Sequence, residues 1–325
     1  FLGGGTPSAA GADLIVKLTE CARKSSSGGI GLLSEDSEIT MEINPGTVTY
    51  GDLLKYRKAG INRLSIGIQS ANEDELRFLG RIHSSDDALR CISDARRAGF
   101  ENISVDLIFG FPGNTLASWR ETLCRILDVR PSHISVYSLQ IEEGTPLYRM
   151  FRRDEVEQVT DEENRRMYHD AVSLLKHSGY EMYEISNASL PKRACRHNLK
   201  YWSYAEYLGL GLGASSFAGG SRFKNTSRMH EYLTAIRKHV PPVDQESIEN
   251  YSQREEMGIF VFTGLRKAEG FSLDHFHHVF RKDFFDVYDE DILKKYKGLL
   301  ICADGRLYLS EHGMDVSNRI MAEFV

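Results

Sequence analysis

Glu42, Gln69 and Asp106 each stand close to the end of a stretch that alternates apolar and polar residues. A period of two sends successive side chains to opposite faces of a strand. In residues 38–44, Ile39, Met41 and Ile43 oppose Thr40, Glu42 and Asn44. In residues 63–70, Leu64, Ile66 and Ile68 oppose Ser65, Gly67 and Gln69. In residues 102–110, Ile103, Val105, Leu107 and Phe109 oppose Ser104, Asp106 and Gly110. An unpaired carboxylate in a dry interior costs several kcal/mol, roughly, after relaxation. A wall carrying both Glu42 and Asp106 therefore faces water or a polar ligand. Its carboxylates and amides are acceptors suited to hydroxyl and ammonium groups.

The elements between these stretches decide how the wall is built. Residues 53–59, 84–98 and 115–127 carry apolar stripes at helical spacing, and Gly60 and Gly99 close the first two. Ser84 and Asp87 have capping-box spacing, and so do Thr160 and Glu163 ahead of a later helix. Strand, helix, strand repetition predicts parallel strands joined by right-handed crossovers. A solvated face of an antiparallel sheet would give the same alternation, but the intervening helices argue against it. Residues 133–142 add a fourth strand, residues 180–186 a further one, and Leu2 reads as the end of an earlier one. The expected fold is α/β, a barrel or half-barrel with a polar lumen, whose ligand sits at the C-terminal ends of the strands.

Pro241-Pro242 is the strongest linker signal, which predicts domains at 1–240 and 241–325. The second part reads as helices followed by a hairpin turning at Asp304-Gly305, a winged-helix-like accessory domain. Its residues 249–325 hold 10 Lys+Arg and 14 Asp+Glu, so a packing or partner-docking role is expected rather than DNA binding. The whole chain of 325 residues has a net charge of −6, which supplies no basic footprint for nucleic acid. No apolar run approaches the ~18 residues of a membrane span. The Gly-rich run 208–215 is neither GxGxxG nor a P-loop, and reads as a tight strand or turn. His275 and His278 share a helix face, but two histidines without a third ligand read as packing rather than metal binding.

Five cysteines, Cys21, Cys91, Cys124, Cys195 and Cys302, lie no closer than 33 positions apart, so none forms a CxxC-type loop. Dispersed thiols predict a reducing, cytoplasmic compartment. Phe1-Leu2-Gly3-Gly4-Gly5 reads as a strand running straight into a loop, with further chain expected upstream.

Several runs together carry a resemblance. Gly3-Gly4-Gly5-Thr6-Pro7-Ser8, Glu42-Ile43-Asn44-Pro45-Gly46, Leu64-Ser65-Ile66-Gly67-Ile68-Gln69-Ser70, Gly80-Arg81-Ile82-His83 and Asp106-Leu107-Ile108-Phe109-Gly110-Phe111-Pro112-Gly113 occur in order. The chain resembles the radical S-adenosylmethionine (SAM) proteins related to oxygen-independent coproporphyrinogen III oxidase. Tyr137-Ser138-Leu139, Glu143-Gly144-Thr145-Pro146-Leu147 and His197-Asn198-Leu199-Lys200-Tyr201-Trp202 resemble its haem-chaperone branch.

That resemblance implies a partial (βα)6 barrel, here without its first βα unit, and a C-terminal accessory domain. It also implies a [4Fe–4S] cluster on a CxxxCxxC loop, with SAM on its fourth iron and a 5′-deoxyadenosyl radical as product. No such loop is in this sequence, so the cluster and its metal ligands are expected upstream of Phe1, and no metal ligand in these residues. The resemblance places Gly4, Gly5, Thr6, Glu42, Gln69, Arg81 and Asp106 around SAM. Arg81 suits a carboxylate, because a guanidinium fork bonds both oxygens. It also links His197, Tyr201 and Trp202 to haem, with an imidazole for iron and aromatic faces for a macrocycle. Cys195 is a second candidate for the iron. Gly213-Ala214-Ser215-Ser216 departs from the family's Gly-Ala-His-Ser, so any role of that histidine is absent. The implied function is haem delivery to apoproteins. Coproporphyrinogen III oxidation and a cluster-less scaffold are the alternatives.

Overall fold

The alternating stretches become strands whose polar positions share one face of one sheet. β1 (Thr40–Ile43), β2 (Arg63–Gln69), β3 (Asn102–Phe109) and β4 (His133–Ser138) lie side by side, all parallel. Leu2 extends the row. It bridges to Met41 in parallel, donating to the Thr40 carbonyl at 2.8 Å and accepting from the Glu42 N–H at 3.0 Å. The computed structural model describes residues 1–26, 34 and 36–325, which fall into two units, Phe1–Cys195 and Arg196–Val325.

In the first unit, α1 (Ala12–Ser26), α2 (Tyr50–Ala59), α3 (Glu73–Phe78), α4 (Ser85–Arg97), α5 (Leu116–Asp128), α6 (Pro146–Arg152) and α7 (Asp161–His177) alternate with the strands. Both expected capping boxes form, Ser84 with Asp87 and Thr160 with Glu163, and Thr49 with Asp52 forms another that starts α2 at Tyr50. The apolar strand positions Met41, Ile43, Leu64, Ile66, Val105 and Leu107 are buried with Trp119, Leu123 and Ala171 from the helices. Trp119 also donates its indole N–H to the Met167 carbonyl at 2.9 Å, tying α5 to α7.

The parallel run stops after β4. The further strand expected at residues 180–186 forms as β5 (Glu181–Glu184), and an additional strand, β6 (Asn187–Ser189), turns back from it and pairs antiparallel with β4. The order is β1-β2-β3-β4-β6-β5. Glu184 makes the turn: its carboxylate accepts from the Ser186 N–H at 3.1 Å and from the Asn187 amide. A local side-chain bond of this kind reverses the chain where period-two patterning alone predicts continuation.

The second unit opens with α8 (Arg196–Trp202) and a three-stranded antiparallel sheet of β7 (Ser215–Ala218), β8 (Ser221–Lys224) and β9 (Glu249–Asn250). α9 (Met229–Arg237) lies between β8 and β9 in sequence. Pro241-Pro242 consequently does not separate the units. The Pro242 carbonyl accepts from the Thr226 N–H at 2.8 Å, Val243 bridges to Asn225, and β9 pairs with β8. Two prolines here shape a return connection rather than a linker. The Gly-rich run is a close-approach turn: a Cβ on Gly209 would lie 2.3 Å from the Ser215 carbonyl.

α10 (Gln253–Gly264), β10 (Phe271–Ser272) and α11 (Leu273–Phe280) follow, and the expected hairpin is β11 (Leu300–Ala303) with β12 (Arg306–Leu309). Asp304 and Gly305 both have positive φ, 50° and 70°, as a type I′ turn requires. β10 joins β12 to make three strands. Phe260, Phe271, Phe276, Phe280 and Phe284 pack ring against ring behind them.

Candidate functional site

Parallel register brings the polar wall together. Glu42 stands beside Ser65, and Ser65 beside Ser104; the next rung is Gly67, Asp106 and Ser135. Ser65 donates to Asp106 Oδ2 at 2.8 Å. Burial raises the Asp106 pKa; hydroxyls of Ser135, Ser65 and Ser104 and the charge of Arg63 pull the other way. Glu42 is raised too, first by burial and then by the Asp106 charge, against a hydrogen bond from the Gly4 N–H. Two carboxylates thus lie within one another's field, each costing less with a proton or a cation nearby.

The loop at residues 3–6 closes over Glu42. A Cβ on Gly3 would sit 2.9 Å from Glu42 Oε1. Gly4 and Gly5 hold φ of +80° and +91°, conformations that favour glycine, and space lies open around both. Thr6 Oγ1 accepts from Asn44 Nδ2 at 3.0 Å. On β2, a Cβ on Gly67 would lie 2.9 Å from both Asn44 Oδ1 and Gln69 Nε2. Gly67 is therefore a gap in the wall rimmed by two amides. Gln69 has a positive φ of 72° and stands where the β2–β3 register shifts. Such local strain clusters at functional sites.

Arg81 follows α3. Its Nε is buried with no hydrogen-bond partner, and burial lowers its pKa. Among the described residues no carboxylate pairs with it. Its charge acts on His83, whose Nε2 contacts the Ile68 carbonyl at 3.2 Å, next to Gln69. A desolvated guanidinium with an unspent N–H is matched by an incoming carboxylate.

Sequence patterning had not reached the neighbouring rungs. His133 is fully buried, with Nδ1 2.7 Å from Ser104 Oγ and Nε2 2.8 Å from the Tyr183 hydroxyl. Burial, then Arg63, push it well below the usual histidine range. Arg63 is 2% exposed and its Nε has no partner. Tyr137 is pushed up to about 12 by burial and then by Asp106. The signal was present: His133, Ser135 and Tyr137 alternate with Ile134 and Val136, continuing the same polar face onto β4.

In the second unit, α8 carries the residues linked to haem. His197 and Tyr201, one turn apart, meet edge to face at 4.7 Å, and Tyr201 meets Tyr207 the same way at 4.5 Å. The Trp202 ring is covered by the Arg266 guanidinium at 4.4 Å. Cys195 ends the first unit, 1% exposed, with its thiol donating to Glu38 at 3.6 Å. Of the histidines on α11, His277 pairs with Asp283 at 2.8 Å while His275 packs on Phe260. No group of three His, Cys, Asp or Glu side chains among the described residues could hold a metal ion.

Residues 1–126 match the radical SAM superfamily and residues 251–316 match the HemN C-terminal domain. The fold and the polar wall thus belong to a radical SAM protein with a HemN-type accessory region. The likeness to solved structures agrees: Escherichia coli coproporphyrinogen III oxidase, HemN, a radical SAM enzyme, matches with a TM-score of 0.80 at 20% identity. The match covers 99% of this chain and 76% of that one. The chain is 31% identical over its whole length to the haem chaperone HemW of Lactococcus lactis subsp. lactis, and covers 84% of it. It is 32% identical to HemW of Bacillus subtilis, again covering 84%. The chain belongs to the HemW family of radical SAM haem chaperones. No helix among the described residues is long and apolar enough to cross a membrane.

Proposed function

We propose that the inner wall of the first unit binds SAM and that the protein carries haem for delivery to apoproteins. The observation that carries the reading is the joined wall. Glu42 and Asp106 feel one another's charge beside a glycine gap at Gly67. A cationic, hydroxyl-rich ligand would relieve that repulsion and satisfy the acceptors.

The residues fit SAM. Glu42 and Asp106 accept from its ammonium and ribose hydroxyls, Gln69 adds an amide, and the orphaned Nε of Arg81 turns to its carboxylate. Gly4 and Gly5 lend backbone, and Thr6 is held in place by Asn44. Each charge-assisted contact is worth roughly 1.5–3 kcal/mol. SAM, when bound at a cluster, supplies a 5′-deoxyadenosyl radical. The described residues do not fit the [4Fe–4S] cluster, and no step here passes through it. For haem, His197 would hold iron and Tyr201 would lie along the macrocycle.

The HemN-like fold favours one second reading, oxidative decarboxylation of coproporphyrinogen III. Incubating the native protein with coproporphyrinogen III, SAM and a strong reductant separates the two. The proposal expects no stoichiometric protoporphyrinogen, but haem transfer to an added apoprotein. Stoichiometric protoporphyrinogen would overturn it. For the wall itself, Asp106→Ala should weaken SAM binding about tenfold or more by calorimetry; unchanged affinity would remove the site.

A further inference from the structure

A cavity of about 260 Å³ in the second unit lies between α8, α10 and the β10–β12 edge. Trp202, Ser203, Lys267, Glu269, His275 and Arg306 supply its polar lining, and Phe260 and Phe271 its apolar lining. We propose that this cavity is a carboxylate-binding site, in which Lys267, Arg306 and the Trp202 indole N–H receive the anionic end of a ligand whose alkyl stem lies on the phenylalanines.

Lys267 is 7% exposed, a rare position for an ammonium without a full partner set. Its Nζ donates to Ser203 Oγ at 3.3 Å and lies 3.8 Å from Glu269 Oε1. An ammonium carries three N–H donors, so these contacts leave one unspent. The same Glu269 oxygen lies 3.2 Å from the Arg306 guanidinium. One carboxylate thus stands between two cations, and the cavity keeps a positive surplus. His275 does not alter it, because burial and then Lys267 hold that imidazole toward its neutral form. The Trp202 Nε1 is buried with no hydrogen-bond partner among the described residues.

Every unmatched group here is a donor, so the missing partner is an acceptor. The surplus charge makes it an anion. The phenylalanine walls select an anion with an apolar stem over a free phosphate, which would leave its remaining oxygens against rings. Two sources share this chemistry: a free alkanoate, and a propionate arm of a porphyrin. A free alkanoate meets the same donors whether or not the protein binds haem.

The test titrates the full chain by calorimetry and tryptophan fluorescence with sodium hexanoate, hexanamide, mesoporphyrin IX and its dimethyl ester. The expected result is saturable binding of at least one acid, at least tenfold tighter than its neutral partner. Lys267→Met should abolish that preference and Lys267→Arg restore part of it. Trp202→Phe, which keeps a ring but removes the N–H, should weaken the acid several-fold and covers the case in which Lys267→Met fails to fold. Preference for hexanoate alone supports a free alkanoate, and preference for the porphyrin diacid supports a propionate arm. If hexanoate shows the preference and neither porphyrin binds, the propionate-arm source fails and this site stands, while the haem reading is decided separately by its iron. If no acid is preferred, or if the preference survives both Lys267→Met and Trp202→Phe, the proposal is overturned even where haem binds.

Discussion

In the first unit, buried polar groups lie on strands and are joined by short hydroxyl bridges: Asp106 to Ser65, and Ser104 to His133 to Tyr183. In the second unit they lie on a helix and in connecting turns, and donors are left over, as on the Trp202 indole and on Lys267 beyond its bond to Ser203. Parallel register repeats a spacing, so one polar position on β2 finds another at the same height on β3 and β4. Helix α8 and the turn after α10 have no common register. Their polar groups meet only because the phenylalanine cluster brings distant segments together. The strand-built wall therefore holds its hydroxyls in place before any ligand arrives, leaving its carboxylates and the Nε atoms of Arg63 and Arg81 to a ligand, whereas the helix-built cavity has no such bridged row and keeps donors for its ligand.

Gly67→Val should separate the two regions most sharply. The new side chain would force Asn44 and Gln69 out of a 2.9 Å approach. SAM affinity should fall on the order of a hundredfold, the loss of one or two charge-assisted contacts, while the haem absorption spectrum keeps its shape. A spectrum altered together with the SAM affinity would break the comparison. His197→Ala tests the other side: the Soret band should move with SAM binding intact, and an identical band would exclude His197 as ligand.

A smaller effect concerns charge. Glu42 and Asp106 both have raised pKa values, burial being the first cause of each. Groups raised on folding contribute stability at pH below their ordinary range, and that contribution disappears as pH climbs through the raised values. The ligand-free protein should thus lose stability between about pH 4 and neutrality through these groups. Glu42→Gln with Asp106→Asn should flatten that slope and stabilise at pH 7 by on the order of 1 kcal/mol, read from thermal unfolding. A steeper slope in the double variant would show that the serine and Gly4 hydrogen bonds outweigh desolvation. The smallest effect is local: Thr160→Ala removes the α7 cap and should cost ~1 kcal/mol, lowering the melting temperature by a few degrees with both ligands unaffected.

The parts legible in the sequence follow this division. Thr40, Glu42, Ser65, Gln69, Ser104 and Asp106 could be placed on one face because a strand has one simple period. Ser84 with Asp87 and Asp304-Gly305 were legible because caps and tight turns are decided within four residues. The β5–β6 reversal was missed, since the Glu184 carboxylate that makes it looks from sequence like one more polar strand position. The cover of Arg266 on the Trp202 ring was not legible, because the two stand 64 positions apart. The Lys267 cavity left no trace in any local pattern, because its walls come from α8, α10 and the final hairpin.

The return of the chain through Pro241-Pro242 has a practical consequence for dissecting the molecule. A fragment ending at 240 would lack residues 249 and 250, which pair with 221 and 222. The naked rim of β8 would then offer unsatisfied amides and carbonyls to any neighbouring chain, a recipe for aggregation. Half-molecules intended to fold alone are better cut between Cys195 and Arg196, where no strand pairing among the described residues is severed.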